Sequence, residues 1–140
     1  VIDVPEIENL KEMTRKLDKD QLFVVETVID YCKKLKRSFS AKEKAPEPIY
    51  IKVIGSAGTG KSHLINLVTQ WIEYIMRSEG DDLNQPYCIK TAFTGSAASN
   101  IEGQTLTSSF SLDWSGKFTS LTDKKRDVYR TVLAKLIFGK

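Results

Sequence analysis

The sequence predicts an α/β fold in which a parallel sheet is flanked by helices. Two β-rich runs, over residues 48–54 and 87–92, alternate with helical patterns, and such alternation is typical of parallel sheets. A glycine-rich segment from Gly55 to Ser62 stands directly after the first strand pattern and opens a helix pattern. Small hydroxylated residues follow the second strand pattern, from Thr91 to Asn100. Both polar clusters therefore come at the carboxyl end of a strand, where α/β sheets place their ligands.

Composition indicates an ordinary globular protein that fits one domain. The chain has 140 residues, of which 41% are hydrophobic and 28% charged, and these values exclude collagen-like and disordered classes. A net charge of +3 permits nucleic acid as a partner without arguing for it. Cys32 and Cys88 lack metal-ligand spacing, so we expect reduced thiols in an intracellular protein. No apolar run approaches the roughly 18 residues of a membrane span, so we expect no membrane partner.

The first half of the chain is expected to contain an N-terminal extension, a helix and a linker. Residues 1–17 form the extension, and Asp18 begins a helix whose apolar face continues to Leu35. The basic run over 33–37 is expected to end this helix, because positive charge is favourable at a helix C-terminus. Residues 38–48 contain two prolines and are expected to form a polar linker.

The second half is expected to alternate strands and helices. The strand over 48–54 ends at Gly55, and a helix follows from Gly60 to about Glu79, with Gly80 as its stop. The later elements are a loop over 81–86, a strand over 87–92, a short helix capped by Thr94 through Ala98, a short helix over 105–112, and a helix from Thr122 to Leu136.

The glycine-rich segment matches the phosphate-binding pattern G-x-x-x-x-G-K-[ST] in the required position between a strand and a helix. Its glycines let the backbone bend around a phosphate, and Lys61 reaches the outer phosphates. Ser62 offers its hydroxyl to Mg²⁺. By average residue usage a chain of this length shows the pattern by chance with a probability of roughly 0.5%. ATP and Mg²⁺ are therefore the predicted ligands of Gly55, Ser56, Ala57, Gly58, Thr59, Gly60, Lys61 and Ser62.

The second cluster has two interpretations. Its small hydroxylated residues could present N–H and O–H groups to a phosphate of a ligand. A capped turn between a strand and a helix, with small residues for packing, explains the same pattern equally well.

Together the two clusters resemble those of PIF-type (petite integration frequency) DNA helicases of superfamily one, with Helitron-like proteins the most similar. Gly55 to Leu64 resembles helicase motif I, and Thr91 to Leu112 resembles motif Ia and its continuation. Gln70-Trp71-Ile72 and Leu121-Thr-Asp-Lys-Lys-Arg126 also fit the family. The resemblance covers about residues 18–136, and its specificity comes from the combination, since many ATPases share motif I.

The resemblance implies a P-loop NTPase with a RecA-like parallel sheet. Residues 18–140 would be a partial domain that stops before the strand carrying the acidic residues (the Walker B strand). Lys61 would stabilise the phosphate in the transition state, and no other catalytic residue is identified. Gln21 would contact adenine, although Asp18 and Gln21 also have the spacing of a helix-capping pair.

The resemblance also implies contacts with single-stranded DNA. Thr94, Gly95, Ser96 and Thr107 would hold its backbone. The chain departs from the family at Phe93, where Pro is usual, and at Thr107, where His is usual, which affects the fine geometry of this contact.

The function implied for the parent protein is that of an ATP-dependent DNA helicase. It would unwind duplex DNA by translocating on a single strand, with roles in DNA repair, recombination and telomere maintenance. Its location would be intracellular, in the nucleus or mitochondrion if the source is a eukaryote. A second RecA-like domain would belong to the same protein. No Asp-Glu pair follows Ala98, so this N-terminal fragment is expected to bind nucleotide without hydrolysing it.

Two other functions stay open. One is a non-catalytic nucleotide-binding fragment, either truncated or derived from a transposon. The other is a P-loop ATPase or kinase unrelated to DNA, which would leave the second cluster unexplained.

Overall fold

The computed structural model describes residues 4–110, 115, 120, 122–124 and 126–127. Three helices come first along the chain: α1 (Ile7–Arg15), α2 (Lys19–Ala41) and α3 (Lys61–Met76). A small strand–helix–strand–helix unit follows: β1 (Thr91–Ala92), α4 (Gly95–Asn100), β2 (Gln104–Thr105) and α5 (Leu106–Phe110).

Helix α2 begins where the sequence predicts and ends later than predicted. The Asp18 side chain accepts a hydrogen bond from the Gln21 amide (2.9 Å), and the Gln21 side chain accepts one from the Asp18 amide, which completes a capping box. The predicted end at 33–37 is wrong, because the helix continues to Ala41. Lys42 is its C-cap and lies in the left-handed region at φ 56°. The buried face of the helix continues past the basic run to Ser38, and packing outweighs the local charge preference.

The first three helices pack around an apolar core. Helix α3 packs against both α1 and α2. The indole N–H of Trp71 donates to the Thr14 hydroxyl (3.0 Å), which fixes α1 on α3. Helix α1 was not predicted, because residues 1–17 were assigned only as an N-terminal extension. The buried residues of this core are Leu10, Val25, Leu64, Leu67 and Trp71, and a second buried cluster contains Cys32, Leu35, Met76 and Tyr87.

Helix α3 ends three residues before the predicted Glu79. Arg77 leaves the helical region (ψ 137°), and its guanidinium contacts the buried Glu73 carboxylate at 2.5 Å. The other oxygen of Glu73 accepts the Tyr87 amide (2.7 Å), so the following segment is fixed to the helix. Lys36, from the basic run of α2, donates to the Ile75 and Arg77 carbonyls (2.8 and 3.1 Å). Its charge therefore stabilises the C-terminal end of α3 rather than that of α2.

The strands form a two-residue parallel pair with α4 as the connection. Thr91 lies opposite Gln104, and Ala92 lies opposite Thr105. The predicted strand over 87–92 is thus paired only at its end, and β2 was not predicted. A Cβ at Gly103 would lie 2.5 Å from the Lys90 carbonyl oxygen, so only glycine lets the chain re-enter beside β1.

The predicted strand over 48–54 does not form within the described part of the chain. These residues carry neither helix nor strand, and Tyr50 and Ile54 are 93% and 82% exposed. A strand exists only when its backbone pairs with a neighbour, and none of the described residues forms a ladder with this run. The larger RecA-like sheet therefore stays a prediction.

The last predicted helix lies mostly outside the described residues. Residues 123–124 and 126–127 are helical, and the Arg126 amide donates to the Thr122 carbonyl (2.9 Å). Across the described ranges, every helix is too short or too polar to cross a bilayer.

Candidate nucleotide-binding site

The loop between Gly55 and Gly60 is bent by two glycines in the left-handed region. Gly58 and Gly60 both have φ of +79°, which side chains disfavour. Gly60 is also the N-cap of α3, so the second bend directs the chain into the helix. Nothing lies within 4 Å of where a Cβ at Gly58 would be, so this part of the loop is open to a ligand.

The Lys61 side chain folds back over the loop. Its ammonium group donates to the carbonyls of Gly55 and Ser56, both at 2.5 Å, and contacts the Thr59 hydroxyl at 3.3 Å. The Thr59 hydroxyl in turn donates to the Ser56 carbonyl (2.7 Å). Positive charge is therefore concentrated in the curve of the loop, where the sequence analysis expects phosphate.

The N-terminal end of α3 adds donors beside this charge. The first amide with an acceptor inside the helix is that of Leu64, which donates to the Gly60 carbonyl (2.9 Å). The amides of Lys61, Ser62 and His63 precede it, and the helix offers them no acceptor. Together with the dipole of a 16-residue helix, they favour an anion at this end.

The donor set fits a triphosphate and its metal. Amides and an ammonium group suit phosphate oxygens, and the exposed Ser62 hydroxyl in the first turn suits Mg²⁺. The loop also requires glycine at position 55, since a Cβ there would lie 2.6 Å from the Thr59 hydroxyl oxygen. A phosphate entering the loop would compete with the Gly55 and Ser56 carbonyls for Lys61.

A cleft of about 470 Å³ adjoins the loop, within the size range of small-molecule sites. Residues 51–55 form one wall, and the first turn of α2 with Phe23 and Val24 forms another. Phe23 is 70% exposed, which leaves its ring available to a flat ligand. Phe23 was not predicted as a site residue, because no local sequence pattern places the start of α2 beside the loop.

Gln21 is the predicted adenine contact, and the structure places it against the loop itself. Its side-chain N–H donates to the Thr59 carbonyl at 3.4 Å. A Cβ at Gly60 would lie 3.1 Å from the same nitrogen. The predicted capping role of Gln21 is confirmed, whereas the contact with adenine stays a prediction.

The second cluster forms a capped turn between a strand and a helix. The Thr94 hydroxyl accepts the Ala97 amide (3.2 Å) and caps α4, as the sequence predicts. Gly95 and Ser96 are exposed at the start of that helix. The Thr107 hydroxyl lies 3.1 Å from the Thr105 hydroxyl rather than pointing alone toward solvent. The capping interpretation is therefore observed, and the DNA contacts of these residues stay a prediction.

The two cysteines are free thiols that disfavour ionisation. Burial, with a smaller effect of the neighbouring Cys88, raises the pKa of Cys32 to about 11. Burial also raises the pKa of Cys88, although a contact with the Thr69 hydroxyl opposes the effect. Neither thiol has the low pKa of a nucleophile.

Comparison of the chain with protein-family models, with curated proteins and with solved structures finds no match. Function is therefore inferred from the residues and from their geometry.

Proposed function

We propose that this chain binds Mg²⁺–ATP through the loop at Gly55–Ser62 and is the nucleotide-binding part of an ATP-dependent DNA helicase. The parent protein would unwind duplex DNA by translocating on a single strand. The observation that supports nucleotide binding is the convergence of the Lys61 ammonium group and the first amides of α3 on a loop bent at Gly58 and Gly60. This combination of charge and directed donors matches a polyphosphate better than any other common ligand.

Each residue of the loop has a role in this proposal. The amides from Gly58 onward hold phosphate oxygens, Lys61 offsets the charge of the outer phosphate, and Ser62 ligates the metal. Bound Mg²⁺–ATP supplies the free energy of phosphoanhydride hydrolysis to the parent motor. The cleft beside Phe23 has the position and size for the base and sugar.

The DNA part of the proposal is supported by the resemblance of the second cluster and by the exposure of Gly95 and Ser96. Thr94 and Thr107 would complete that contact. DNA repair, recombination and telomere maintenance, and a second RecA-like domain, belong to the parent protein in this proposal.

Nucleotide binding is tested by titrating the chain with a fluorescent ATP analogue and Mg²⁺. Wild type should bind saturably, and Lys61→Ala should weaken binding by about tenfold or more, because it removes a charged partner of the phosphates. Lys44→Ala is the matched control, since its ammonium group lies on the surface with 88% exposure of the side chain. Equal affinity of Lys61→Ala and Lys44→Ala, or no saturable binding by wild type, would contradict the proposal.

The same titration with single-stranded DNA distinguishes the helicase from an ATPase or kinase unrelated to DNA. The helicase proposal expects DNA to change the affinity for the nucleotide, because the two sites are linked reciprocally. No effect of DNA at any concentration would favour the unrelated ATPase. A steady-state assay of phosphate release tests the expectation that this chain binds nucleotide without hydrolysing it: turnover that Lys61→Ala abolishes would contradict that expectation.

A further inference from the structure

The Gln21 side chain joins the start of α2 to the phosphate loop. Its carbonyl oxygen accepts the Asp18 amide and its N–H donates to the Thr59 carbonyl, both at 3.4 Å. Asp18 is the N-cap of α2, and Thr59 precedes the N-cap of α3. Within the part of the chain that the structure describes, the other side-chain hydrogen bonds of residues 55–61 stay within that segment.

The bond to Thr59 fixes the direction of a loop amide. A peptide unit is planar and trans, so its C=O and the following N–H point to opposite sides. Holding the Thr59 carbonyl toward Gln21 therefore directs the Gly60 N–H to the other side. Gln21 also lies close to Gly60, since a Cβ at that glycine would lie 3.1 Å from the Gln21 side-chain nitrogen, so a side chain at position 60 would press on this contact.

Two other carbonyls of the loop accept hydrogen bonds from a charged group that a phosphate would attract. Lys61 holds the carbonyls of Gly55 and Ser56, and a phosphate would compete with them for its ammonium group. The Thr59 carbonyl accepts its hydrogen bond from the neutral side-chain amide of Gln21, which has no charge to draw it toward a phosphate. Gln21 can therefore keep this part of the loop in place while Lys61 changes partners.

We propose that Gln21 is a positioning residue for the phosphate loop, which sets the affinity for the triphosphate whatever base it carries. The inference rests on the proposed nucleotide binding. It differs from the adenine contact that the resemblance implies, because the hydrogen bonds observed for Gln21 reach the backbone of Asp18 and Thr59.

The test compares three ligands and two variants by calorimetry in the presence of Mg²⁺. The ligands are ATP, GTP and inorganic tripolyphosphate, which has no base. Gln21→Met removes both hydrogen bonds of the side chain without adding charge. Gln21→Glu retains the acceptor for the Asp18 amide, as glutamate does in capping boxes, but removes the donor to Thr59 and adds a negative charge.

Each variant should bind all three ligands more weakly, by a factor of about three- to tenfold that is the same for the three ligands. This is the effect expected from losing the hydrogen bond to the Thr59 carbonyl. A loss confined to ATP would show a contact with adenine and overturn the inference. A loss of affinity in Gln21→Glu alone would be explained by charge repulsion. A loss of affinity in Gln21→Met alone would be explained by the broken helix cap. Either of these results also overturns it.

If wild type binds none of the three ligands, the proposed function fails and the positioning role is judged separately. Amide hydrogen exchange at Gly60, followed by NMR, should then be faster in both variants than in wild type. Unchanged exchange at Gly60 would overturn the inference.

Discussion

The buried pair of Glu73 and Arg77 offers a sharp test of what holds the end of α3. Each side chain is only 6% exposed, and the carboxylate and guanidinium are 2.5 Å apart. Glu73 also accepts the Tyr87 amide at 2.7 Å. Arg77 donates to the carbonyls of Asp82 and Gln85, both at 3.2 Å, so the pair fixes the loop between α3 and β1.

We expect Glu73→Gln to lower the free energy of unfolding by about 3 kcal/mol. Glutamine has the same size and can still accept the Tyr87 amide, so packing changes little. The guanidinium of Arg77 loses its counter-charge while staying buried, and breaking a buried pair on one side costs about 3–5 kcal/mol. The lower end applies here because two carbonyls continue to accept from Arg77.

The measurement is urea unfolding followed by circular dichroism, with Glu12→Gln as the matched control. Glu12 pairs with Lys16 at 3.2 Å on the surface, with side-chain exposures of 64% and 72%. Its loss should change stability by less than about 0.5 kcal/mol. A cost for Glu73→Gln below about 1 kcal/mol, or equal to that of the control, would refute the reasoning that the pair is buried and mutually dependent.

Two further predictions concern the phosphate loop and a buried thiol. Gly55→Ala should weaken ATP binding by about tenfold or more, because its Cβ would lie 2.6 Å from the Thr59 hydroxyl oxygen. Adding Thr59→Ala to Gly55→Ala should partly restore binding, since the Cβ of residue 59 lies 3.5 Å from the new Cβ at position 55. A double variant that binds no better than Gly55→Ala would contradict this. Cys32 has a pKa raised from 9.0 to about 11 in the folded protein, chiefly by burial, so its protonated form stabilises the fold fully below about pH 9. As pH rises from 9 to 11 the free energy of unfolding should fall by up to about 1.4 kcal/mol per unit relative to Cys32→Ala, and parallel curves for the two proteins would contradict the shift.

Short-range patterns could be predicted from the sequence because their partners are neighbours in the chain. The capping box of Asp18 and the cap of Thr94 each join residues three apart, so residue type and spacing were sufficient. The position of the glycine-rich loop before α3 was predicted for the same reason, since left-handed bends and a helix start need particular residues at particular places.

The predictions that were wrong depend on partners far away in the sequence. Helix α2 continues past its basic run because Lys36 finds carbonyls 39 and 41 residues along the chain, at the end of α3. Helix α3 ends early because Glu73 fixes Tyr87, 14 residues away, and holds Arg77. The run over 48–54 has β-forming residues but no pairing partner among the described residues, and propensity alone does not form a strand.

The candidate site shows the same division. The candidate phosphate contacts could be predicted from residue order, because Gly58, Gly60, Lys61 and Ser62 lie within five consecutive residues. The contact of Gln21 with this loop, 38 residues along the chain, and the position of Phe23 in the adjoining cleft are seen only in the folded structure. The packing of α2 against α3 brings these residues together, and the chemistry of the loop then depends on a contact that local sequence does not encode.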